Sequence, residues 1–265
     1  MQLTNKVFVV TGGGNGMGRE VVLGLLARGA RVAAVDPGLA ETAKLAGAAS
    51  AQLTTHPLNV TDRHAVLALP DAVIHAHGQV DGVLNVAGII QPFVKLTELD
   101  FDTIERVFNV NFWGVVNMTK AFLPALTARP EAAVLNVASM GGFLPVPGQA
   151  AYGASKAAVK LFTEALYAES LGTNLAVTIV FPGGVGTNIT ANSGVAMPKV
   201  AAAKPGKEYK TTSPADAGQQ IIEGLEKGSF RVVIGSDAKF MDRFSRLSPR
   251  RATELIASKM KDLLG

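Results

Sequence analysis

Three side chains in the middle of this chain have types and spacing suited to moving a proton. Tyr152 and Lys156 stand four positions apart in AAYGASKAAV, a stretch otherwise built of small residues. Four residues make about one helical turn, so on a helix the phenol and the ammonium share a face. A neighbouring ammonium favours phenolate by at most ~4 kcal/mol at 4 Å and an effective dielectric of ~20. A bound cationic ligand would add to it and desolvation opposes it, and the net expectation is a phenol with an apparent pKa of roughly 7 to 8 rather than near 10. With only three tyrosines in 265 residues, the pair alone still has a chance origin to compete with. Ser139 strengthens it, because its hydroxyl ends an apolar run, AAVLNVAS, just upstream. Small neighbours would let two bound molecules press against such a helix.

The elements that must hold these residues are visible as alternation. Short β-branched runs at 7–11, 31–36, 80–87, 132–139, 175–183 and 230–235, with a weaker one in QLTTHPLNV, alternate with longer helical patterns. Several are near-continuously apolar, as parallel strands covered on both faces are. The expected fold is therefore a single α/β domain over 1–265, a Rossmann-like doubly wound sheet of about seven parallel strands with helices on both faces. Helix starts are expected at Thr61, ahead of DRHAVLAL, and at Ser213-Pro214-Ala215-Asp216, which reads as N-cap, N1 proline and N3 acid. Irregular sequence over about 188–212, with Lys199, Lys204, Lys207 and Lys210, reads as a mobile flap. In open α/β sheets ligands bind at the carboxyl ends of the strands, where Ser139 would stand.

TGGGNGMG, residues 11–18, follows the first strand and precedes a helical pattern. Glycines there let backbone approach a pyrophosphate at the positive end of the helix. The spacing Gly12-x-x-x-Gly16-x-Gly18 departs from G-x-G-x-x-G, so context carries the reading. Asp36, at the end of the second strand, could accept from ribose hydroxyls and would repel a 2′-phosphate; the alternative is an ordinary turn ahead of Pro37-Gly38. No Lys or Arg follows at 37–40, and Asn15 within the turn is uncharged. The cofactor these residues suit is NAD.

The glycine turn, Asp36, Asn85-Val86-Ala87-Gly88, Asn111, Ser139, Tyr152, Lys156 and Pro182-Gly183 occur in order, and the chain over nearly its whole length resembles the short-chain dehydrogenase/reductase family. The resemblance implies that Tyr152 exchanges a proton with the substrate oxygen and that Ser139 hydrogen-bonds it. It further implies that Lys156 holds the nicotinamide ribose and that Asn111, rather than Asn109, fixes a relay water. Thr187, after PGGVG, resembles the residue bonding the nicotinamide carboxamide. By the same resemblance the cofactor contacts take in Gly12, Asn15, Gly16, Met17, Gly18, Asn59, Val60, Asn85, Ala87, Gly88, Pro182, Gly183 and Val185. Two positions depart from the family's pattern: Val86 replaces a second asparagine, leaving Asn85 alone to brace the central strands, and Asn59 stands where an aspartate commonly meets adenine. Substrate is expected over Gly141, Phe143, Leu144 and Val146, near Gln91, Pro92, Phe93 and Gln149, beside Ser139 and Tyr152. Those mostly apolar residues suit a hydrophobic alcohol or ketone.

Composition excludes other chemistries. There is no cysteine, hence no disulfide or thiolate site, and no HExxH or paired metal-ligand spacing. His75 and His77 read as surface residues near a helix end, and Asp100 and Asp102 as acids of a helix start. The chain lacks a long apolar run and a signal-like N-terminus, so a cytoplasmic location is expected. The net charge of +4 resides wholly in the tail from Lys239 onward. Phe240 and Phe244 are the only aromatics there, too few for a nucleic-acid platform, and a solvated amphipathic helix is the plainer reading. Helices at about 97–128 and 148–172 carry apolar residues around more than one face, which predicts a homotetramer, with a homodimer next. The expected function is an NAD-dependent alcohol–ketone oxidoreductase. A 3-oxoacyl thioester reductase is the near alternative; a sugar-nucleotide epimerase or dehydratase and a non-catalytic NAD-binding regulator are the more distant ones.

Overall fold

A computed structural model of the chain describes residues 1–195 and 211–260. The flap lysines named above, and the tail beyond Met260, lie outside the described residues. Seven strands form one parallel sheet in the order β3-β2-β1-β4-β5-β6-β7. They are β1 (Val7–Thr11), β2 (Arg31–Val35), β3 (Leu53–His56), β4 (Gly82–Asn85), β5 (Ala132–Val137), β6 (Leu175–Pro182) and β7 (Arg231–Ile234). Strand count, direction and winding are as expected. The strands stop a residue or two short of their apolar runs. Asp36, Val86, Ala87 and Ser139 thereby fall just past the strand ends, in the loops at the carboxyl edge.

The helices are α1 (Gly16–Ala27), α2 (Ala40–Ala46), α3 (Arg63–His77), α4 (Phe101–Phe108), α5 (Gly114–Thr127), α6 (Ala150–Glu169), α7 (Ile189–Asn192), α8 (Pro214–Glu226), α9 (Ser236–Leu247) and α10 (Pro249–Lys259). Alternate side chains of β1 go to opposite layers, as a period of two requires. Phe8 and Val10 join Val22 and Leu25 of α1 and Ile221 and Ile222 of α8. Val7 and Val9 join Val66 and Val73 of α3 and Phe122 of α5. Successive strands of the sequence run outward from β1 in both directions, so the order reverses between β1 and β4. That break is where an open α/β sheet forms its ligand crevice.

Local starts are partly as expected. Ser213 caps α8, accepting from Asp216 N, with Pro214 at the first position. The cap of α3 is Asp62 rather than Thr61: the Asp62 carboxylate accepts from Ala65 N at 3.0 Å, and Thr61 is drawn into a turn by Asn59. His77 is buried, not a surface residue. Its Nε2 meets the Thr54 hydroxyl at 2.8 Å, and the same hydroxyl meets His56 Nε2 at 2.9 Å. Burial pushes the pKa of both histidines down. Asp100 caps α4, with its carboxylate accepting from Thr103 N at 2.7 Å, which lowers its pKa. The expected helix over 97–128 is interrupted by a π-helical turn, Asn109–Trp113, between α4 and α5. Single π turns inside α-helices are frequent at functional sites. The basic tail forms α9 and α10, with exposed Arg246 paired to Asp242 and Arg250 to Glu254 one turn apart, the solvated amphipathic arrangement.

Candidate active site

Two adjoining cavities open along the carboxyl edge of the sheet. The larger, about 510 Å³, runs from the glycine turn past Asp36 and Asn59 to Gly88 and Thr187. The smaller, about 330 Å³, is lined by Ser139, Tyr152 and Lys156 with mostly apolar neighbours. Met17, Gly88 and Thr187 border both.

The larger cavity has the walls a dinucleotide needs. Gly12 has φ +70°, and a methyl there would stand 2.9 Å from the Ala87 backbone nitrogen. At Gly14 a methyl would collide with the Gly38 carbonyl oxygen. Side chains are thus excluded where the backbone lines the crevice. Thr11 fixes the opposite wall, its hydroxyl accepting from Val86 N at 3.1 Å and Ala87 N at 3.2 Å. Asn15 caps α1 through Gly16 N at 2.8 Å, so the positive end of that helix faces the cavity. Asp36 accepts from Gly38 N at 2.9 Å, which presets its carboxylate and leaves lone pairs for ribose hydroxyls. These residues fit a nicotinamide dinucleotide. Asn59 also lines the cavity, but its carboxamide oxygen already takes two hydrogen bonds at 3.0 Å from Thr61. Acceptance from an adenine amino group would compete with that turn.

In the smaller cavity, the strand-to-helix loop brings Ser139 against Tyr152. The Ser139 oxygen accepts from Gly141 N at 3.0 Å. A methyl on Gly141 would lie 3.5 Å from Ser139 Oγ and 3.4 Å from the Tyr152 ring, so the two hydroxyl-bearing residues converge on one patch of backbone. Burial pushes the Tyr152 phenol up, and the Ser139 hydroxyl pulls it partly back. Lys156, one turn along and buried, donates to Val137 O at 2.9 Å and is lowered by burial to about 8. Its nitrogen keeps two further donors for a ligand. Burial outweighs the Ser139 hydroxyl, so the phenol of the ligand-free chain stands above its ordinary value.

Asn111 lies buried in the π turn, whereas Asn109 is exposed. A methyl on Gly88 would be 3.1 Å from Lys156 Nζ and 3.3 Å from Asn111 Oδ1, which places both around one glycine. The Asn111 carboxamide is bonded to Ile89 N (2.8 Å), Ile89 O (2.9 Å) and Ser155 Oγ (3.0 Å), and any relay water must share these partners. Val185 and Thr187 sit in a loop pinned by Gly184 N to Asp237 and by Thr212 to Gly184 and Gly186.

Several expected contacts fall elsewhere. Asn85 lines neither cavity. It is buried between strands, donating to Asn136 Oδ1 at 2.8 Å and to Thr119, while Asn136 reaches Thr163. Nor does Asn85 act alone, since Asn136 answers it from the next strand. Leu144 points away from the smaller cavity into a cluster with Met241 and Ala252 of the C-terminal helices. Phe143 packs on Phe181 beneath Arg231. Three contributors went unseen in the sequence. Met260, just past the end of α10, lines the smaller cavity. Ser193 accepts from Ile90 N, and Arg106 donates to Ser193 O, tying the end of α7 down. A methionine or serine at such long range leaves no spacing signal.

A short chain dehydrogenase family model matches residues 6–197. The Mycobacterium tuberculosis protein SadH, assigned as an oxidoreductase, is 41% identical and aligns with 96% of this chain and 94% of its own. The 3-oxoacyl-[acyl-carrier-protein] reductase FabG of Thermotoga maritima is 34% identical, over 72% of this chain and 78% of its own. Among solved structures, a short-chain dehydrogenase/reductase of Burkholderia phymatum in complex with NAD superposes with TM-score 0.78 at 26% identity, covering 88% and 90% of the two chains. One from Burkholderia cenocepacia in complex with NADP shares the fold with TM-score 0.81 at 24% identity, covering 97% and 99%. No helix among the described residues is long and apolar enough to cross a membrane. With the nucleotide-shaped crevice, the Ser139–Tyr152–Lys156 cluster and these likenesses all agreeing, the chain belongs to the short-chain dehydrogenase/reductase family of oxidoreductases acting on CH–OH groups.

Proposed function

We propose that this protein uses NAD to interconvert a secondary alcohol and a ketone on a largely hydrophobic substrate, with Tyr152 as acid and base. The observation carrying this reading is the placement of Tyr152 and Ser139 in an apolar cavity that adjoins the nucleotide crevice. When bound, the nicotinamide accepts or supplies the hydride. The chain's part is the proton and the oxygen. Tyr152 takes the hydroxyl proton in oxidation and returns it in reduction, while Ser139 donates to the same oxygen as charge develops. Lys156 favours the phenolate and keeps donors for the ribose. Asn111 holds the Gly88–Ile89 turn under Lys156, where a water sharing Ile89 O would relay the proton.

Asp36 supports NAD over NADP by repelling a 2′-phosphate, with an expected preference of at least tenfold in kcat/KM, about 1.4 kcal/mol. Reduced-nicotinamide absorbance with a panel of secondary alcohols, run with each cofactor, tests both halves of the proposal. Equal efficiency with both cofactors would sink the Asp36 reading. Asp36→Ala combined with Pro37→Arg should narrow or invert the preference. A 3-oxoacyl thioester belongs in the panel, since the FabG likeness favours it as a second reading.

The same proposal includes a homotetramer, with a homodimer next. Phe101 (81% exposed), Trp113 (44%) and Leu161 (66%) lie on α4, the π turn and α6, and each would be covered by a second copy. Light scattering at micromolar concentration should give four chain masses; a monomer there would remove the assembly.

A further inference from the structure

We propose that Gln91 is a positioning residue for Tyr152, holding the first turn of α6 in register with the cavity. The inference rests on the reading of Tyr152 as acid and base.

Helix α6 begins without a cap of its own: Gln149 stands at the cap position and its side chain makes no capping hydrogen bond. The first amide donors of a helix have no partner within it, and burying them unpaired costs about 1–3 kcal/mol each. Gln91 supplies the acceptor from the loop after β4. Its Oε1 accepts from Ala151 N at 2.7 Å and from Tyr152 N at 3.2 Å. Its Nε2 donates to Gly148 O at 2.9 Å. The amide orientation follows from the partners, since a carbonyl demands a donor and backbone N–H groups demand an acceptor. The clasp is reciprocal, because Gln149 Nε2 donates to the Gln91 carbonyl at 2.8 Å. Gln91 is fully buried. Gly148 turns the chain into the helix with φ +78°, so the held carbonyl is at the bend itself.

The residue whose backbone Gln91 grips carries the phenol. Proton transfer depends on sub-ångström placement of the reacting group, and few other attachments fix Tyr152 from outside its helix. A residue that merely fills space would matter to folding and leave the chemistry of the folded enzyme unchanged. A positioning residue lowers kcat in folded protein and leaves dinucleotide affinity alone.

Two variants separate these roles. Gln91→Met keeps the volume and removes the acceptor. Its kcat should fall roughly tenfold or more, with NADH dissociation constant within about twofold of wild type by fluorescence. Gln91→Glu restores the acceptor, and while its buried carboxyl is protonated it also restores the donor to Gly148 O. Turnover should recover most of that loss at low pH and fall again as the carboxyl ionises and its second oxygen meets the Gly148 carbonyl. The inference is overturned if Gln91→Met melts and turns over like wild type, or if folded Gln91→Glu is no better than Gln91→Met across the pH range. Should Gln91→Met fail to fold, a Gln91→Glu turnover that follows the wild-type pH profile throughout overturns it. Tyr152→Phe is the control. If that variant keeps turnover, the acid–base reading fails and takes this inference with it; if it is inactive while Gln91→Met is unaffected, the positioning role alone fails.

Discussion

Tyr152→Phe is expected to lower kcat/KM by about 10²–10⁴-fold, the range a positioned acid–base group contributes, with NAD dissociation constant within about twofold. Phenylalanine keeps the ring that packs by Gly141 and removes only the hydroxyl, so the cavity and the crevice keep their shape. The pH dependence carries more information than the loss. Burial raises the Tyr152 phenol and lowers the Lys156 ammonium to about 8, which parts two titrations that ordinarily lie close together. The positive charge of an oxidised cofactor adds to that of Lys156 in favouring phenolate. Oxidation requires phenolate, so its kcat/KM should rise with pH and level off once the phenol has ionised in the cofactor complex. Reduction requires the neutral phenol and should fall over the same span. An authentic substrate oxidised at wild-type rate by Tyr152→Phe would remove this tyrosine from the chemistry.

Much of this was legible in the sequence, for identifiable reasons. The alternation of apolar runs and helical patterns is a local signal, and it yields the seven strands and their direction. Glycines at Gly12 and Gly14 reflect backbone contacts that tolerate no side chain, so the crevice is written in residue type. Tyr152 and Lys156 are one turn apart, a spacing that only a helix makes meaningful. What stayed illegible depends on contacts made at long range. Asn85 looked like a cofactor contact because its neighbours are; its burial against Asn136 depends on strand register. Phe143 and Leu144 looked like substrate wall because they follow Ser139. They turn instead toward α9 and α10, helices whose docking no local pattern announces. Met260 reaches the site for the same reason, and Gln91, expected near the substrate, grips the start of α6 through partners far off in sequence. Strand ends were overestimated because apolar character continues into the buried loops at the sheet edge.

Lys156→Met should make the cofactor-free protein more stable at neutral pH while weakening cofactor binding and moving both pH–rate limbs upward. The argument follows from the sign of the lysine's shift. An ammonium with pKa about 8 in the folded chain, against 10.5 ordinarily, is one the fold disfavours. Below pH 8 both folded and unfolded chains carry the charge, and the full penalty applies, about 3 kcal/mol at 1.36 kcal/mol per unit. Between pH 8 and 10.5 the folded chain loses its proton first, and the penalty fades. Above 10.5 it is gone. Methionine fills a similar apolar volume without the charge, but it forfeits the bond to Val137 O, worth roughly 1–1.5 kcal/mol for a charged donor. The difference leaves a net gain of roughly 1–2 kcal/mol at pH 7. Urea midpoints should therefore be higher for Lys156→Met at pH 7, converge with wild type as pH rises through 8 to 10, and cross below it beyond. A variant less stable than wild type at pH 7 would mean that the Val137 contact, and not desolvation, governs this lysine. A wild-type stability flat from pH 8 to 10 would say the same. The site would then hold its ammonium without strain, and the stability given up to keep a charge beside Tyr152 would have to be sought elsewhere in the fold.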